Sequence, residues 1–141
     1  MGKRITIVIS IIIAAVIVFG SVGFYVDRQN GINSVITYMT DVMEGKVDLD
    51  SLKGTSIEYY AYQFEWMKIP EGASVEVHIQ RRKTRFDFLN TYIWVRYSFR
   101  VWDKNGQILD QFSNSWTSSA EWKIHKKNGK WEIAWVIDPI W

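Results

Sequence analysis

The sequence predicts a small α+β domain standing behind a membrane-spanning helix, and three observations predict it. Ile5 to Val26 carries no charge. Directly after it, apolar residues recur at helical spacing. The second half then alternates apolar and polar residues, with Asn-Gly turns between the runs.

The uncharged stretch is close to the roughly 20 residues that a helix needs to cross the hydrocarbon core. Lys3 and Arg4 precede it with no acid nearby. The preference for cytoplasmic basic residues therefore puts Met1 to Arg4 inside the cell and sends the chain beyond Val26 outward, as a single-pass protein of the cell membrane. A cleaved secretory signal is the competing reading, with Ser21 and Gly23 as the small pair before a cut. Against it stand an apolar stretch longer than the usual signal core and the aromatic pair Phe24 and Tyr25 at its outer end, where interface anchors belong. Met1 to Thr6 also fits the loose myristoylation pattern, but beside a spanning helix an acyl chain adds little.

The whole chain has 17 Lys and Arg against 15 Asp and Glu, and Lys3 and Arg4 make up the difference, so the outer domain is formally neutral. That argues against nucleic acid as a partner, since nucleic acid calls for a basic face on the folded part. The roughly 115 residues beyond Val26 suffice for one domain with a core. Eight Trp supply large buried areas. With no Cys, disulfides, thiolate metal sites and thiol chemistry are excluded, which in an exported domain suits a bacterial surface protein.

Asp27 to Gly31, DRQNG, is polar and ends in a turn-favouring Asn-Gly pair, so a short linker is expected there. The outer domain then runs from Ile32 to Trp141. Ile32, Val35, Ile36, Met39, Val42 and Met43 form the inner face of a helix that Gly45 stops. Asp48 to Leu52 makes a turn or short helix. Thr55-Ser56-Ile57-Glu58 resembles a capping box, opening a second helix with Ile57, Tyr60, Ala61 and Phe64 inward. The alternation of Tyr60, Tyr62, Phe64 and Trp66 leaves a strand open for the same segment.

Val75, Val77 and Ile79 define a strand, followed by the basic run Arg81, Arg82, Lys83 and Arg85. The next strand puts Ile93, Val95, Tyr97, Phe99 and Val101 on one face and Tyr92, Trp94, Arg96, Ser98, Arg100 and Trp102 on the other. A hairpin turn is expected at Asp103 to Gly106. Gln107 to Lys127 returns as a long strand bent near Ser113-Asn114-Ser115, and a second Asn-Gly turn leads into a last strand with Trp131, Ile133, Trp135 and Ile137 on one side.

Helices followed by long antiparallel strands, closing with HKKNGKWEIAWVIDP, resemble the NTF2-like (cystatin-like superfold) domain, whose small members often end in a similar hairpin. The resemblance rests on pattern over Ile32 to Trp141 and on wording only near Asn128 to Ile133. It implies a sheet curled around helices into a cone that holds a small molecule, a peptide or a partner domain. Its enzymatic branches use a cavity Asp, Tyr or His, and no position here aligns with one.

His78 and His125, with Asp87 or Asp110, are the only acid–base or metal candidates, and their spacing matches no ligand motif; solvated strand histidines are the better reading. The basic run suits anionic headgroups, wall polymer or an acidic partner, or is merely solvated. Tyr92, Trp94, Arg96, Arg100 and Trp102 combine the residue types that dominate interface hot spots, although packing as core is the reading that comes first for this face. Trp116, Trp122, Trp131, Trp135 and Trp141 read first as core. No nucleophile elbow, phosphate loop or H-E-x-x-H occurs. The expectation is a non-catalytic, membrane-anchored binding or assembly module for a protein partner or small ligand, with no cofactor. A small-molecule cavity enzyme is the alternative.

Overall fold

A computed structural model of the chain describes residues 2–60, 69–113 and 119–137. Its first element, α1 (Gly2–Met43), is an unbroken α-helix of 42 residues, about 63 Å at 1.5 Å per residue. It is long and apolar enough to cross a membrane, and none of its most apolar window is buried. Only its outer half, from Tyr25 onward, packs on the domain. There Ile32, Val35, Met39, Val42 and Met43 are buried, as the spacing predicts. Gly45 at φ 71 ends the helix in a Schellman motif, the Lys46 N–H reaching the Asp41 carbonyl at 2.9 Å and the Gly45 N–H that of Val42 at 3.1 Å.

The expected linker at Asp27 to Gly31 is helix, and the physical reason lies elsewhere in the chain. Gly31 is no turn residue here. A Cβ on it would come within 2.4 Å of the Trp131 indole, so the glycine is a notch into which that ring fits. Three residues earlier, Arg28 is buried. Its guanidinium donates to the Phe88 carbonyl at 2.8 Å, the Thr91 hydroxyl at 2.8 Å and the Asn90 carbonyl, and it lies 4.3 Å from the Phe24 ring centroid. Asp27 pairs with Lys126 at 2.8 Å, and Arg81 donates to Gln29 at 2.8 Å. These tertiary contacts outweigh the local turn preference of Asn30-Gly31.

A 3-10 turn follows at Leu49–Leu52, with Asp48 as its N-cap and Leu52 buried. The predicted capping box does not close reciprocally. Glu58 instead accepts from the Gly54 N–H at 2.7 Å, and the Thr55 hydroxyl donates to the Leu52 carbonyl at 2.6 Å. Residues 58–60 are helical. Ile57 and Tyr60 are buried as expected, while Ala61, Phe64 and the rest of that predicted element lie outside the described residues. The Trp122 indole N–H donates to the Tyr60 hydroxyl at 2.9 Å, so both aromatics enter the core with their polar atoms paired.

Five antiparallel strands form one curved sheet: β1 (Ser74–Phe86), β2 (Asn90–Trp102), β3 (Ile108–Ser113), β4 (Ala120–Lys127) and β5 (Lys130–Ile137). β1 flanks one side of β2. On its other side β3 pairs with the outer half and β4 with the inner half, and β5 closes the edge beyond β4. β3 and β4 together are thus the predicted long returning strand, β3 pairing with β2 from Ser98 outward and β4 from Val95 inward. Register shifts at Arg81/Lys83, Val101/Trp102 and Lys123/Ile124 curl the sheet around α1. Helical structure followed by a curved antiparallel meander is an α+β fold compatible with the NTF2-like architecture.

Two strand expectations need correction. The basic run does not end the first strand, because β1 continues to Phe86 with Arg82 as the bulged residue. On β5 the side-chain phase inverts: Ile124 pairs with Ile133 but Lys123 with Trp135, leaving Ala134 as the extra residue. Trp131, Ile133 and Val136 therefore pack on the core, while Trp135 and Ile137 are 40% and 50% exposed. The turns follow the expected chemistry unevenly. Asn128 (φ 50) and Gly129 (φ 79) both take positive φ, but at Asp103 to Gly106 only Gly106 does, and the loop closes through the Asp103 N–H to the Gln107 carbonyl at 2.8 Å.

Gly31→Ala is expected to lower stability by about 1–3 kcal/mol through overpacking, despite the better helix propensity of alanine. Denaturant unfolding in nanodiscs measures this, and Trp131→Leu in the same chain should relieve the cost. Arg28→Met removes the donor to the Phe88 carbonyl and the Thr91 hydroxyl, leaves the Asn90 carbonyl with the Asp87 N–H at 3.0 Å, and is expected to cost about 2–4 kcal/mol by the same measurement.

Candidate functional site

β2 divides its residues between two environments. Thr91, Ile93, Val95, Tyr97, Phe99 and Val101 are buried, most of them in the core under α1. Tyr92, Trp94, Arg96, Ser98 and Trp102 are half-buried and Arg100 is exposed on the other face. Among the described residues no helix packs over that outer face, because α1 meets the sheet from the core side. The period-2 reading of the strand is thus correct in its division, and the aromatic and basic side is the outer one.

The neighbouring strands extend that face into a ladder. Pairing places Arg85, Tyr92, Lys123 and Trp135 in one row across four strands, and Lys83, Trp94, Glu121 and Ile137 in the next row of the same face. The Lys83 ammonium lies 4.9 Å from the Trp94 ring centroid, the Arg85 guanidinium 4.4 Å and the Lys123 ammonium 5.9 Å from that of Tyr92. Such stacking keeps the rings broadside to the sheet and their cations partly spent on them. Trp102 sits at the far end, its indole N–H 3.2 Å from a Glu76 carboxylate oxygen. The structure therefore brings Tyr92, Trp94, Arg96, Arg100 and Trp102 onto one surface and joins Lys83 and Arg85 of the basic run to it. Arg81 leans instead on Gln29, and Arg82 donates to Gln80 at 3.1 Å.

Lys123, Trp135 and Ile137 belong to this surface but escape sequence reading. The bulge at Ala134 reverses the alternation that would have assigned Trp135 and Ile137 to the same side as Ile133. Trp122 is buried and Trp131 half-buried, as expected of core; Trp116 and Trp141 lie outside the described residues.

The acid–base candidates do not converge. His78 stands opposite Ser98 and His125 opposite Asn90, eight residues of β2 apart or about 26 Å. Asp87 is engaged in the β1–β2 turn, where its carboxylate accepts from the Leu89 N–H at 2.9 Å and from the Asn90 N–H. These backbone hydrogen bonds, that of Asn90 foremost, hold its pKa below the ordinary carboxylate value. Asp110 is exposed on β3 opposite Val101. Among the described residues no three His, Asp or Glu side chains gather as metal ligands.

His125 pairs instead with Glu132 across β4 and β5, Nε2 to Oε1 at 3.0 Å. That bond first, and the Lys127 charge after it, lower the Glu132 pKa. Both residues line an open groove of about 1010 Å³ between α1, the 51–57 loop and the β4–β5 hairpin, with Tyr38, Thr55, Lys127 and Trp131 among its walls. Sequence reasoning had no signal for this groove, since its walls come from three separated segments.

No protein-family model matches the chain, and no curated protein matches it in sequence.

The lowered pKa of Asp87 means that its ionised form stabilises the fold above the ordinary carboxylate range and ceases to do so as pH falls through that range, about 4, towards the depressed value. Asp87→Asn is therefore expected to be less stable than the parent at neutral pH, with the gap closing in strong acid. Urea unfolding at neutral pH and below pH of about 3 checks the sign.

Proposed function

We propose that this chain is a single-pass membrane protein whose C-terminal domain, NTF2-like in shape and held outside the cytoplasm, is a non-catalytic module that captures a protein partner. The observation that carries the reading is the outer sheet face. Two rows of aromatic, aliphatic and charged side chains, Arg85-Tyr92-Lys123-Trp135 and Lys83-Trp94-Glu121-Ile137, stand partly exposed on a rigid sheet. Aromatic and Arg side chains on a preorganised surface lose little conformational freedom on binding and bury much area. The apolar, unburied first half of α1 and the Lys3-Arg4 flank support the anchor and its orientation.

A second reading, a small ligand held or turned over in the groove beside His125 and Glu132, draws on the geometry of that pair. It requires the groove and not the outer face.

Proximity cross-linking from intact cells separates the two. The double variant Trp94→Ala, Arg96→Ala is expected to lose the dominant cross-linked partner at least about 10-fold, as truncated hot spots do, while retaining cooperative unfolding. Loss of folding in this variant would make these residues core and remove the proposal. Unchanged capture, with His125→Ala abolishing binding in a small-molecule screen, would favour the groove.

A further inference from the structure

The turn between β1 and β2 carries an apolar pair where polar residues are the rule. Phe88 is 88% and Leu89 70% exposed, although Asp87 holds the turn in a fixed shape through its bonds to the Leu89 and Asn90 N–H groups. Nothing in the described domain covers them. Their height along α1 is fixed by contacts. The Phe88 carbonyl accepts from Arg28, whose guanidinium lies over Phe24, and the neighbouring Phe86 ring meets Tyr25 edge-on with centroids 6.1 Å apart. The turn thus stands beside Phe24 and Tyr25, in the last helical turn of the uncharged stretch. Ile5 to Val26 spans about 33 Å of helix against a hydrocarbon core of about 30 Å, which puts Phe24 and Tyr25 at the depth where aromatic anchors sit.

The second hairpin lies at the same end. His125 stands opposite Asn90, so Lys126, Lys127 and Lys130 extend beyond the start of β2, and Lys126 pairs with Asp27 just past the apolar stretch. At the opposite end of the domain lie Asp103, just past β2, and Asp110, opposite Val101. A domain with no net formal charge thus still gathers lysines at the end beside the anchor, although Lys126 pairs with Asp27 and Lys127 lies 3.7 Å from Glu132.

We propose that the β1–β2 turn is a second membrane-contact element: Phe88 and Leu89 enter the interface of the leaflet from which the domain emerges, and Lys127 and Lys130 lie among anionic lipid headgroups. Apolar side chains at interface depth gain by leaving water, and basic residues near an anionic surface add to that attraction. The inference rests on the reading of α1 as a membrane anchor. It gives the domain two attachments to one bilayer, the helix and the turn, and holds the sheet upright between them.

The chain has no cysteine, so single-cysteine spin labels report one site each. Full-length protein carrying a label at Val16, Phe88, Leu89, Lys130 or Asn105 is reconstituted into phosphatidylcholine vesicles with and without phosphatidylglycerol. Depth is read from collisions with oxygen against a water-soluble nickel chelate. The label at 16 is expected in hydrocarbon, those at 88 and 89 at interface depth, that at 130 among headgroups and that at 105 in water. Phosphatidylglycerol should deepen 88 and 89, and Lys127→Gln, Lys130→Gln should cancel that deepening. With the tip otherwise intact, the label at 130 should move towards water when Phe88→Ser and Leu89→Ser are introduced. Labels at 88 and 89 as water-exposed as that at 105, with 16 in hydrocarbon, overturn the proposal alone. A label at 16 in water overturns the anchor and the proposal with it. Insensitivity to phosphatidylglycerol overturns the assignment of the lysines to headgroups.

Discussion

Arg28 is the constraint on which the rest of the structure depends. Its charge is buried without a carboxylate among its hydrogen-bond partners; two backbone carbonyls and the Thr91 hydroxyl accept from its Nη groups, its Nε is buried without a hydrogen-bond partner, and the rings of Phe24, Phe86 and Trp131 surround it. A guanidinium desolvated in this way is tolerable only where each of these partners is held in place. That requires α1 to stay helical through Asn30 and Gly31, the β1–β2 turn to present its carbonyls inward, and Trp131 to fill the notch at Gly31. The side chain joins the apolar half of the helix, the first hairpin and the last strand at one point. Asp27 reinforces the junction: the Lys126 hydrogen bond first, with the Trp131 indole and Arg28 charge assisting, lowers its pKa.

Much of this fold was legible in the residues. The inner face of the helix from Ile32 to Met43, the alternation along β2 and the Asn128-Gly129 turn are local patterns with local causes, and the structure keeps them. The linker was not legible, because Asn30-Gly31 is a turn signal by every local criterion and its true role is set by an indole a hundred residues later. β5 failed for another reason. A single bulged residue, Ala134, leaves composition and period unchanged yet moves Trp135 and Ile137 from the core side to the outer side. The shared side of Tyr92, Trp94, Arg96, Arg100 and Trp102 was legible because they lie on one uninterrupted strand, and the residues that join them were missed where the face crosses to strands with a register shift. His125 illustrates the same limit, since its partner Glu132 becomes a neighbour only through pairing.

Net charge also proved a poor summary of the domain. Equal numbers of acids and bases argue against a polyanion partner when the charges are mixed, but here strand order sorts them. The meander returns to the anchored end twice, at the β1–β2 and β4–β5 turns, and the second of these is rich in lysine. Where α1 ends, by contrast, Lys46 pairs with Asp41 and Glu44. A neutral composition and a local lysine cluster coexist because chain topology, not sequence order, decides which residues share an end.

The unbroken helix has a consequence for how the domain meets anything else. α1 and β2 run outward together: Arg28 grips the start of β2, and Glu44 accepts the Val77 N–H at 3.0 Å opposite Phe99, near its end. With no swivel between anchor and sheet, the compass heading of the outer face is locked to the rotational phase of the helix, which turns by about 100° per residue. With α1 set in a bilayer, the face would look sideways across the plane of the lipid at constant altitude. An encounter with another membrane-held molecule would then reduce to lateral drift and rotation about one axis, a far smaller search than that of a domain on a flexible tether.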